Sequence, residues 1–291
     1  MAEVDLHLHT TYSDGILTPT ELVDLCARRG LRVISVTDHD STEGLAEALD
    51  AARAHPELSI IPGVELSTDV SRSELHLLGY FVDYHDSEFQ DQMRQLRDGR
   101  HDRGRQMVDR LRELGVMISW ERVQELSDGG AIGRPHIAQA MVEQGYVEYP
   151  RDAFDKYIGR NGLAYVGRVN LTAIDAVKLL VRAGGLPVMA HPSFFVAGYA
   201  DADVAELKEL LGSLKDAGLV GIEVHYKNHT EDELSLFSGI ATELGLVECG
   251  GTDYHGWGNP DEVEPGAAGP PLETVGALKS LLRDRIAARQ G

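Results

Sequence analysis

Two histidines lie two residues apart near the start of the chain, at the end of an apolar run. His7 and His9 occur in VDLHLHTTYSDG, residues 4–15, and Asp14 follows them in a segment with the composition of a loop. Because side chains alternate along a β-strand, a strand here would direct both imidazoles to one face. Imidazole and carboxylate groups together bind divalent cations such as zinc, iron and manganese.

Histidines and acids recur in the other apolar runs of the sequence. Six further β-like runs occupy residues 32–40, 58–66, 75–82, 186–192, 220–226 and 246–255. At or near their ends these runs carry Asp38, His39, Glu65, His76, His191, His225, Asp253 and His255. Each residue alone has a structural explanation, such as a cap, a turn or a half-buried histidine. Their recurrence at strand ends indicates one shared metal site, in which a cation lowers the pKa of bound water.

The apolar runs alternate with helical segments, which predicts a parallel β/α architecture. Between the first two runs, Thr18, Pro19, Glu21 and Gly30 carry the start and stop signals of one such helix. Seven strands favour a barrel over an open sheet, and functional groups of β/α barrels gather at the carboxyl ends of the strands. The sequence therefore predicts an α/β fold with a seven-stranded barrel.

One segment departs from this alternation. Residues 98–167 contain helical or irregular patterns and no convincing strand. We predict that residues 1–97 and 168–291 form the barrel and its metal site, and that 98–167 is a helical insertion that caps the substrate. A long lid and a second small domain are the alternatives.

Charge and cysteine content exclude several classes of partner. The 291 residues include 27 Lys and Arg against 47 Asp and Glu, for a formal net charge of -20. Such a field repels duplex DNA, which binds through basic patches. Cys26 and Cys249 form no pattern typical of a disulfide framework or a thiolate zinc site. Without an apolar run of about 18 residues or a leader-like start, we expect a cytoplasmic protein with no membrane partner. The oligomeric state is left open.

The chain resembles the PHP family, named for polymerase and histidinol phosphatase, over nearly its whole length. The matching motifs are DLHLHTTYSDG at 5–15, TDHD at 37–40, PGVELS at 62–67, LHLLGY at 75–80, AHP at 190–192 and GTDYH at 251–255. The resemblance implies a distorted (β/α)7 barrel that holds three divalent cations and hydrolyses phosphate esters. Manganese, iron and zinc are the expected cations, and magnesium is a further candidate.

The resemblance also assigns individual ligands. The first cation would be held by His7, His9, Glu65 and Asp253. The second would be held by Glu65, His76 and His191, and the third by Asp14, His39 and His255. Asp14 departs from histidinol phosphatase members, which tend to carry a histidine in that region. A carboxylate ligand shifts the preference of this third site toward hard cations such as manganese or magnesium. Asp38 and Asp40 would orient His39 or a neighbouring ligand.

The stand-alone chain, its insertion and the pattern SDGxLTPxEL are most similar to a nucleotide-acting subgroup of the family. Members of this subgroup remove the 3'-phosphate from nucleoside 3',5'-bisphosphates, and some trim short RNA from its 5' end. The resemblance thus implies a small phosphate ester as partner, attacked in line by a hydroxide that bridges the cations. Histidinol phosphate hydrolysis, amidohydrolase activity and a non-catalytic metal-binding module are the alternatives.

Candidate substrate contacts come from the insertion and from the late strands. Arg134 precedes Pro135 at an expected helix start, where free backbone N–H groups and a guanidinium both favour an anion. Arg134 would hold a phosphate, and a metal-bound water, His191 or His229 would protonate the leaving group. The full set of candidate substrate contacts is Arg134, His136, Lys156, Arg160, Ser193 and His229.

Overall fold

Seven β-strands follow one another through a single sheet in chain order. A computed structural model describes residues 1–70, 74–167, 171–196, 201–258 and 262–290. The strands are β1 (Val4–Leu8), β2 (Val33–Val36), β3 (Ser59–Asp69), β4 (Glu74–Tyr80), β5 (Leu186–Met189), β6 (Gly221–Tyr226) and β7 (Val247–Gly251). The sheet nearly closes, because the His9 N–H donates to the carbonyl of Tyr254, just beyond β7, at 3.0 Å. The predicted α/β fold with a seven-stranded barrel is confirmed.

The direction of β4 differs from the sequence prediction. The β1–β2–β3 and β5–β6–β7 pairs are parallel, whereas β4 runs antiparallel to both β3 and β5. Only residues 70–73 connect Asp69 to Glu74, which is too short for a helical crossover. The start of β4 therefore lies at the edge where the parallel strands end. This reversal brings His76, which lies near the start of its strand, to the same edge as the other histidines.

Ten α-helices surround or follow the strands in the described ranges. They are α1 (Pro19–Arg28), α2 (Leu45–Ala51), α3 (Ser87–Glu113), α4 (Trp120–Leu126), α5 (Arg134–Glu143), α6 (Pro150–Ala153), α7 (Ala173–Arg182), α8 (Asp201–Ala217), α9 (Glu231–Leu244) and α10 (Leu272–Gln290). The predicted capping box of α1 is present: Thr18 Oγ1 accepts from the Glu21 N–H at 3.2 Å, and the Glu21 carboxylate accepts from the Thr18 N–H at 2.9 Å. None of the described helices combines the length and apolarity needed to cross a bilayer.

Helix α3 connects the barrel to the helical region between β4 and β5. It begins at Ser87, where Asp86 caps it by accepting from the Phe89 N–H at 2.7 Å. Its first half packs Phe89 and Met93 into a core shared with β3, β4 and α7. Its second half packs Met107 into a separate core shared with α4 and α5. The helix thus crosses the predicted boundary at residue 98, and the division at 98–167 stays a prediction.

Candidate metal centre

The predicted ligands converge at the carboxyl edge of the parallel strands. In three groups of side chains, the potential ligand atoms all lie within 4.8 Å of one another. The groups are His7, His9, Glu65 and Asp253; His9, Asp14, His39 and His255; and His39, Glu65 and His76. The first group equals the set that the resemblance assigns to the first cation. His191 lies beside the third, with its Nε2 3.2 Å from Glu65 Oε1. The assignment of each ligand to one cation stays a prediction.

Glu65 lies at the centre of these groups and is fully buried. Its carboxylate approaches five imidazoles: His7 Nε2 at 3.2 Å, His9 Nε2 at 3.2 Å, His39 Nδ1 at 3.0 Å, His76 Nδ1 at 2.8 Å and His191 Nε2 at 3.2 Å. Atoms that bind one cation at about 2.1 Å lie about 3.0 to 3.4 Å apart. The spacing around Glu65 therefore matches that of ligands around shared cations.

Several buried polar atoms of the site make no hydrogen bond within the described residues. They are His7 Nε2, His9 Nε2, Asp14 Oδ1, His39 Nδ1 and Glu65 Oε2. Buried polar atoms without partners are costly and uncommon in proteins. All five belong to the groups above, and divalent cations would use their lone pairs. The residues present therefore fit the metal centre that the family resemblance implies.

Some of these side chains depend on a strained backbone. His191, two residues after β5, has φ 27°, and Asp253, two residues after β7, has φ 48°. Positive φ is unfavourable for residues with a Cβ and persists where surrounding contacts enforce it. The N–H of His191 donates to Glu223 at 2.8 Å, and the Asp253 carboxylate accepts from the hydroxyl of Tyr226 at 2.9 Å. Both turns direct predicted ligands into the site.

Glu223 is a site residue that the sequence analysis missed. It is fully buried in β6, and both carboxylate oxygens lie 3.2 Å from His7 Nδ1. A carboxylate on one ring nitrogen fixes the imidazole and leaves the other nitrogen for a cation. The signal was a single acid inside the apolar run VGIEVHY. A bulge between Glu223 and His225 instead places His225 outside the groups, with its Nε2 3.4 Å from Glu248.

Asp38 contacts the loop after β1. Its carboxylate accepts from the Thr10 N–H at 2.7 Å, the Thr10 hydroxyl at 2.6 Å and the Ser13 hydroxyl at 2.6 Å. The Ser13 hydroxyl also lies 3.5 Å from His9 Nδ1. Asp38 therefore fixes the loop that carries Asp14 and acts on His9 through Ser13, whereas the prediction named His39 first.

The carboxylates of Glu65 and Asp253 and the imidazole of His39 are in the forms that bind cations. Burial raises the pKa of the Glu65 carboxyl, but His39, His7 and His76 outweigh it and hold this pKa well below its ordinary range. Burial also raises the pKa of the Asp253 carboxyl, but Lys227 and His7 outweigh it and hold this pKa well below its ordinary value. Burial holds the pKa of His39 well below its usual value, which leaves a neutral imidazole. Charged carboxylates and neutral imidazoles are the forms that bind cations.

Cation affinity is expected to increase with pH. Burial lowers the pKa of His9, but the carboxylates of Asp253 and Glu65 outweigh it and raise this pKa to about 9. Below that pH a cation must displace the His9 proton, so Mn²⁺ affinity rises with pH by up to about tenfold per pH unit. In the cation-free protein, the protonated His9 stabilises the fold, and this contribution is lost as the pH rises through the His9 pKa. Calorimetric titration from neutral to mildly alkaline pH tests this, and an affinity that stays constant or falls contradicts it.

A cavity of about 160 Å³ joins the metal centre to a wall of arginines. Asp14, His39, His76 and His255 line this cavity together with Arg100, Arg103 and Arg134. Arg134 is the first residue of α5, as predicted, and its guanidinium pairs with Glu74. Gly133 allows this helix to approach the ligands, since a Cβ there would lie 2.8 Å from Asp14 Oδ2. Arg100 and Arg103 were missed; their signal is a spacing of three residues on one helix.

Three other predicted substrate contacts, His136, Lys156 and Arg160, make contacts within the protein. His136 is buried, and its Nδ1 accepts from the Gly133 N–H at 3.0 Å, which caps α5. Lys156 Nζ lies 4.8 Å from the centre of the Tyr157 ring, and Arg160 donates to the Val70 carbonyl at 3.1 Å. Neither Lys156 nor Arg160 is among the described residues that line the cavity.

Ser193 and His229 form a pair on the His191 side of the centre. The Ser193 hydroxyl lies 3.1 Å from His229 Nε2, and His229 Nδ1 lies 2.8 Å from the Val224 carbonyl. Two contacts thus fix the His229 ring. Its role in binding substrate stays a prediction.

Comparison with known proteins agrees with the metal-ligand geometry of the site. Residues 5–156 match the family model of the PHP domain. The chain belongs to the PHP family. This PHP protein is 35% identical over 256 residues to the 3',5'-nucleoside bisphosphate phosphatase of Chromobacterium violaceum, with 88% of each chain covered. It is 32% identical to the 5'-3' exoribonuclease Rnm of Salmonella typhimurium, with 86% of this chain and 84% of the relative covered.

A solved structure shares the whole fold of the PHP protein. It is described as an amidohydrolase from Chromobacterium violaceum with bound sulfate and no metal, and it aligns with a TM-score of 0.86 at 32% identity. The alignment covers 98% of this chain and 97% of the other. The family match and the named relatives identify this PHP protein as a metal-dependent hydrolase of phosphate esters. The predicted family and enzyme class are confirmed.

Proposed function

We propose that this PHP protein removes the 3'-phosphate from nucleoside 3',5'-bisphosphates. The observation that carries the proposal is a cavity lined both by residues of the metal-ligand groups and by three arginines. Its carboxylate and imidazoles suit divalent cations and its arginines suit anions, which fits an ester with more than one phosphate. The name of the Chromobacterium phosphatase and the sulfate bound in the related structure support this substrate class.

Divalent cations in this centre would supply Lewis acidity and an activated water. His7, His9, Asp14, His39, Glu65, His76, His191, Asp253 and His255 are the residues proposed to hold them. Arg134 binds a substrate phosphate through its planar guanidinium, aided by the N-terminus of α5. Met107, Ile132 and Ile137 line the same cavity and reduce its access to water.

The environment of His229 decides whether this candidate can donate a proton. Burial lowers the pKa of His229, and the Val224 carbonyl and nearby acids offset this only in part. The ring is therefore neutral near neutral pH and lacks the proton that a leaving group needs. We place His229, with Ser193, as a hydrogen-bonding group for the substrate, and a water molecule of the centre as the donor.

The proposal is tested by phosphate release from manganese-loaded protein. The panel contains adenosine 3',5'-bisphosphate, 5'-AMP, 3'-AMP, histidinol phosphate and a short 5'-phosphorylated RNA, with a chelator-treated control. We expect chelator-sensitive release that is fastest from the bisphosphate. Turnover of histidinol phosphate alone would overturn the proposal, and faster cleavage of RNA would favour the second candidate, the activity named for the Salmonella relative.

Substitution of Arg134 separates phosphate binding from cation binding. Arg134→Ala is expected to keep the bound cations and to lower kcat/KM for the bisphosphate about 10- to 100-fold, since a charge-assisted hydrogen bond is lost. Metal analysis and steady-state kinetics measure both effects. Arg151, an exposed arginine on α6, provides the matched control. Unaltered kinetics in Arg134→Ala would remove this residue from the site.

A further inference from the structure

The turn after β7 closes around the carboxylate of Glu262. Its Oε1 accepts from the His255 N–H at 3.0 Å and the Gly256 N–H at 2.6 Å, and its Oε2 accepts from the Gly258 N–H at 2.6 Å. Converging backbone N–H groups form a concave site for an anion, and here a carboxylate of the same chain fills it. Glu262 therefore fixes the turn, residues 255–258, through hydrogen bonds to a charged group.

Two glycines allow this turn to lie against the loop after β1. Gly256 has φ 84° and Gly258 has φ 68°, a conformation that is costly for residues with a Cβ. A Cβ on Gly256 would also lie 2.7 Å from Cγ1 of Ile16 in that loop. The Ile16 N–H donates to the His255 carbonyl at 2.8 Å. The turn and the loop after β1 thus pack directly against each other.

Trp257, in the middle of the turn, connects it to Asp14. The indole N–H of Trp257 donates to the Asp14 carbonyl at 2.6 Å. The Trp257 ring also meets the ring of His136 on α5 edge-on, with the ring centres 6.1 Å apart. The turn, the loop after β1 and the start of α5 therefore meet at this one side chain.

Asp14 and His255 depend on such contacts because they lie on loops. Glu65 and His76 are within the strands β3 and β4, whereas Asp14 follows β1 and His255 follows β7. Groups on strands are held more precisely than groups on loops. His255 Nε2 and Asp14 Oδ1 nevertheless lie 3.2 Å apart, which matches the spacing of two ligands on one cation. The order of this pair therefore comes from the contacts of the turn.

We propose that Glu262 and Trp257 are positioning residues for one cation of the centre, the third of the assigned set. Glu262 fixes the backbone of His255, and Trp257 holds the backbone of Asp14. This inference rests on the proposed assignment of Asp14 and His255, with His39, to that cation. Loosening the turn is then expected to weaken binding of this cation alone, while the other cations of the centre stay bound.

The test compares Glu262→Gln with Asp14→Asn, which alters a proposed ligand directly. Glutamine keeps the volume but offers one acceptor oxygen, and its NH₂ group cannot accept from a backbone N–H. For Glu262→Gln we expect the affinity for one Mn²⁺ to fall about 10- to 100-fold while the others stay within about twofold, and for Asp14→Asn a loss at least as large. Metal analysis and competition with a chelator measure these affinities. Glu264→Gln, at an exposed acid of the same segment, is the matched control.

Trp257 supplies a readout that does not depend on turnover. The chain has two tryptophans, so Trp120→Phe leaves Trp257 as the sole source of tryptophan emission. Mn²⁺ is paramagnetic and quenches excited rings close to it, so we expect this emission to fall as the cation beside Asp14 binds. Addition of Glu262→Gln is expected to shift the midpoint of the quench to about 10- to 100-fold higher Mn²⁺.

Asp14→Asn separates failure of this inference from failure of the cation assignment. If Asp14→Asn weakens one Mn²⁺ and Glu262→Gln weakens none, the cation site stands and the positioning role is wrong. If Asp14→Asn keeps every affinity, the assignment is wrong and the positioning role is overturned with it. A wild type that shows the expected affinities and variant effects without releasing phosphate means that the bisphosphate activity alone is wrong.

Thermal melting shows whether Glu262→Gln acts on the site or on the whole barrel. Equal weakening of every Mn²⁺ in this variant overturns the positioning role, because general loosening of the barrel end explains it. If the variant does not fold, Trp257→Phe takes its place, since it keeps a ring and loses the indole N–H. We then expect a lower affinity for one Mn²⁺, and unchanged affinities would overturn the proposal.

Discussion

Replacement of Glu65 by alanine is expected to remove the bound cations and to lower phosphate release at least about 1000-fold. Cations stabilise the charge of a transition state by several kcal/mol, and each 1.36 kcal/mol is about a factor of ten in rate. Glu65 approaches five imidazoles from one buried carboxylate, so its loss affects every part of the centre. The five imidazoles then lose the one carboxylate that all of them approach.

The measurement is metal analysis of the purified variant together with steady-state kinetics. Glu65→Gln tests charge at constant volume, and we expect it to lose most of the cation content while the barrel stays folded. Glu57→Ala removes an exposed acid that precedes the same strand and serves as the control. Full activity in Glu65→Ala would refute the assignment of Glu65 to the centre.

Much of the fold and the core of the site follow from local sequence patterns. The seven apolar runs predicted seven strands, because buried strands are short, apolar and bounded by turns. His7 and His9 share a face of β1, as the two-residue period of a strand requires. Their partners were recognised because ligands recur at strand ends, where a barrel collects its functional groups. These features depend on neighbours in sequence and on family resemblance.

The features that were missed depend on contacts between distant segments. The two-residue period of a strand does not give the direction of the strand. The antiparallel course of β4 follows only from its short connection to β3, and it explains how His76 reaches the site. The bulge in β6 decides between Glu223 and His225, and no local pattern marks it. Arg103 lies on α3 and pairs with Glu74 of β4, a contact that only the packing of the helix against the barrel creates.

Glu223 gives the second large effect that the structure predicts. Glu223→Gln is expected to lower Mn²⁺ affinity about 10- to 100-fold, the usual effect of losing a carboxylate that orients a histidine ligand. The amide retains the volume and one acceptor for the His191 N–H, so the backbone of that turn keeps its partner. The negative charge beside His7 Nδ1 is lost, and with it the force that directs His7 Nε2 toward Glu65.

The matched control for this variant is Glu248→Gln. Glu248 lies on the neighbouring strand β7 and also approaches a histidine, His225, at 3.4 Å, but outside the ligand groups. We expect Glu248→Gln to bind Mn²⁺ like the wild type in competition with a chelator, and thermal melting to confirm that both variants fold. Equal loss in the two variants would mean that general acidity of the barrel end, rather than the contact with His7, governs cation binding. Loss in Glu223→Gln alone would mean that a carboxylate with no cation contact of its own controls the geometry of the centre.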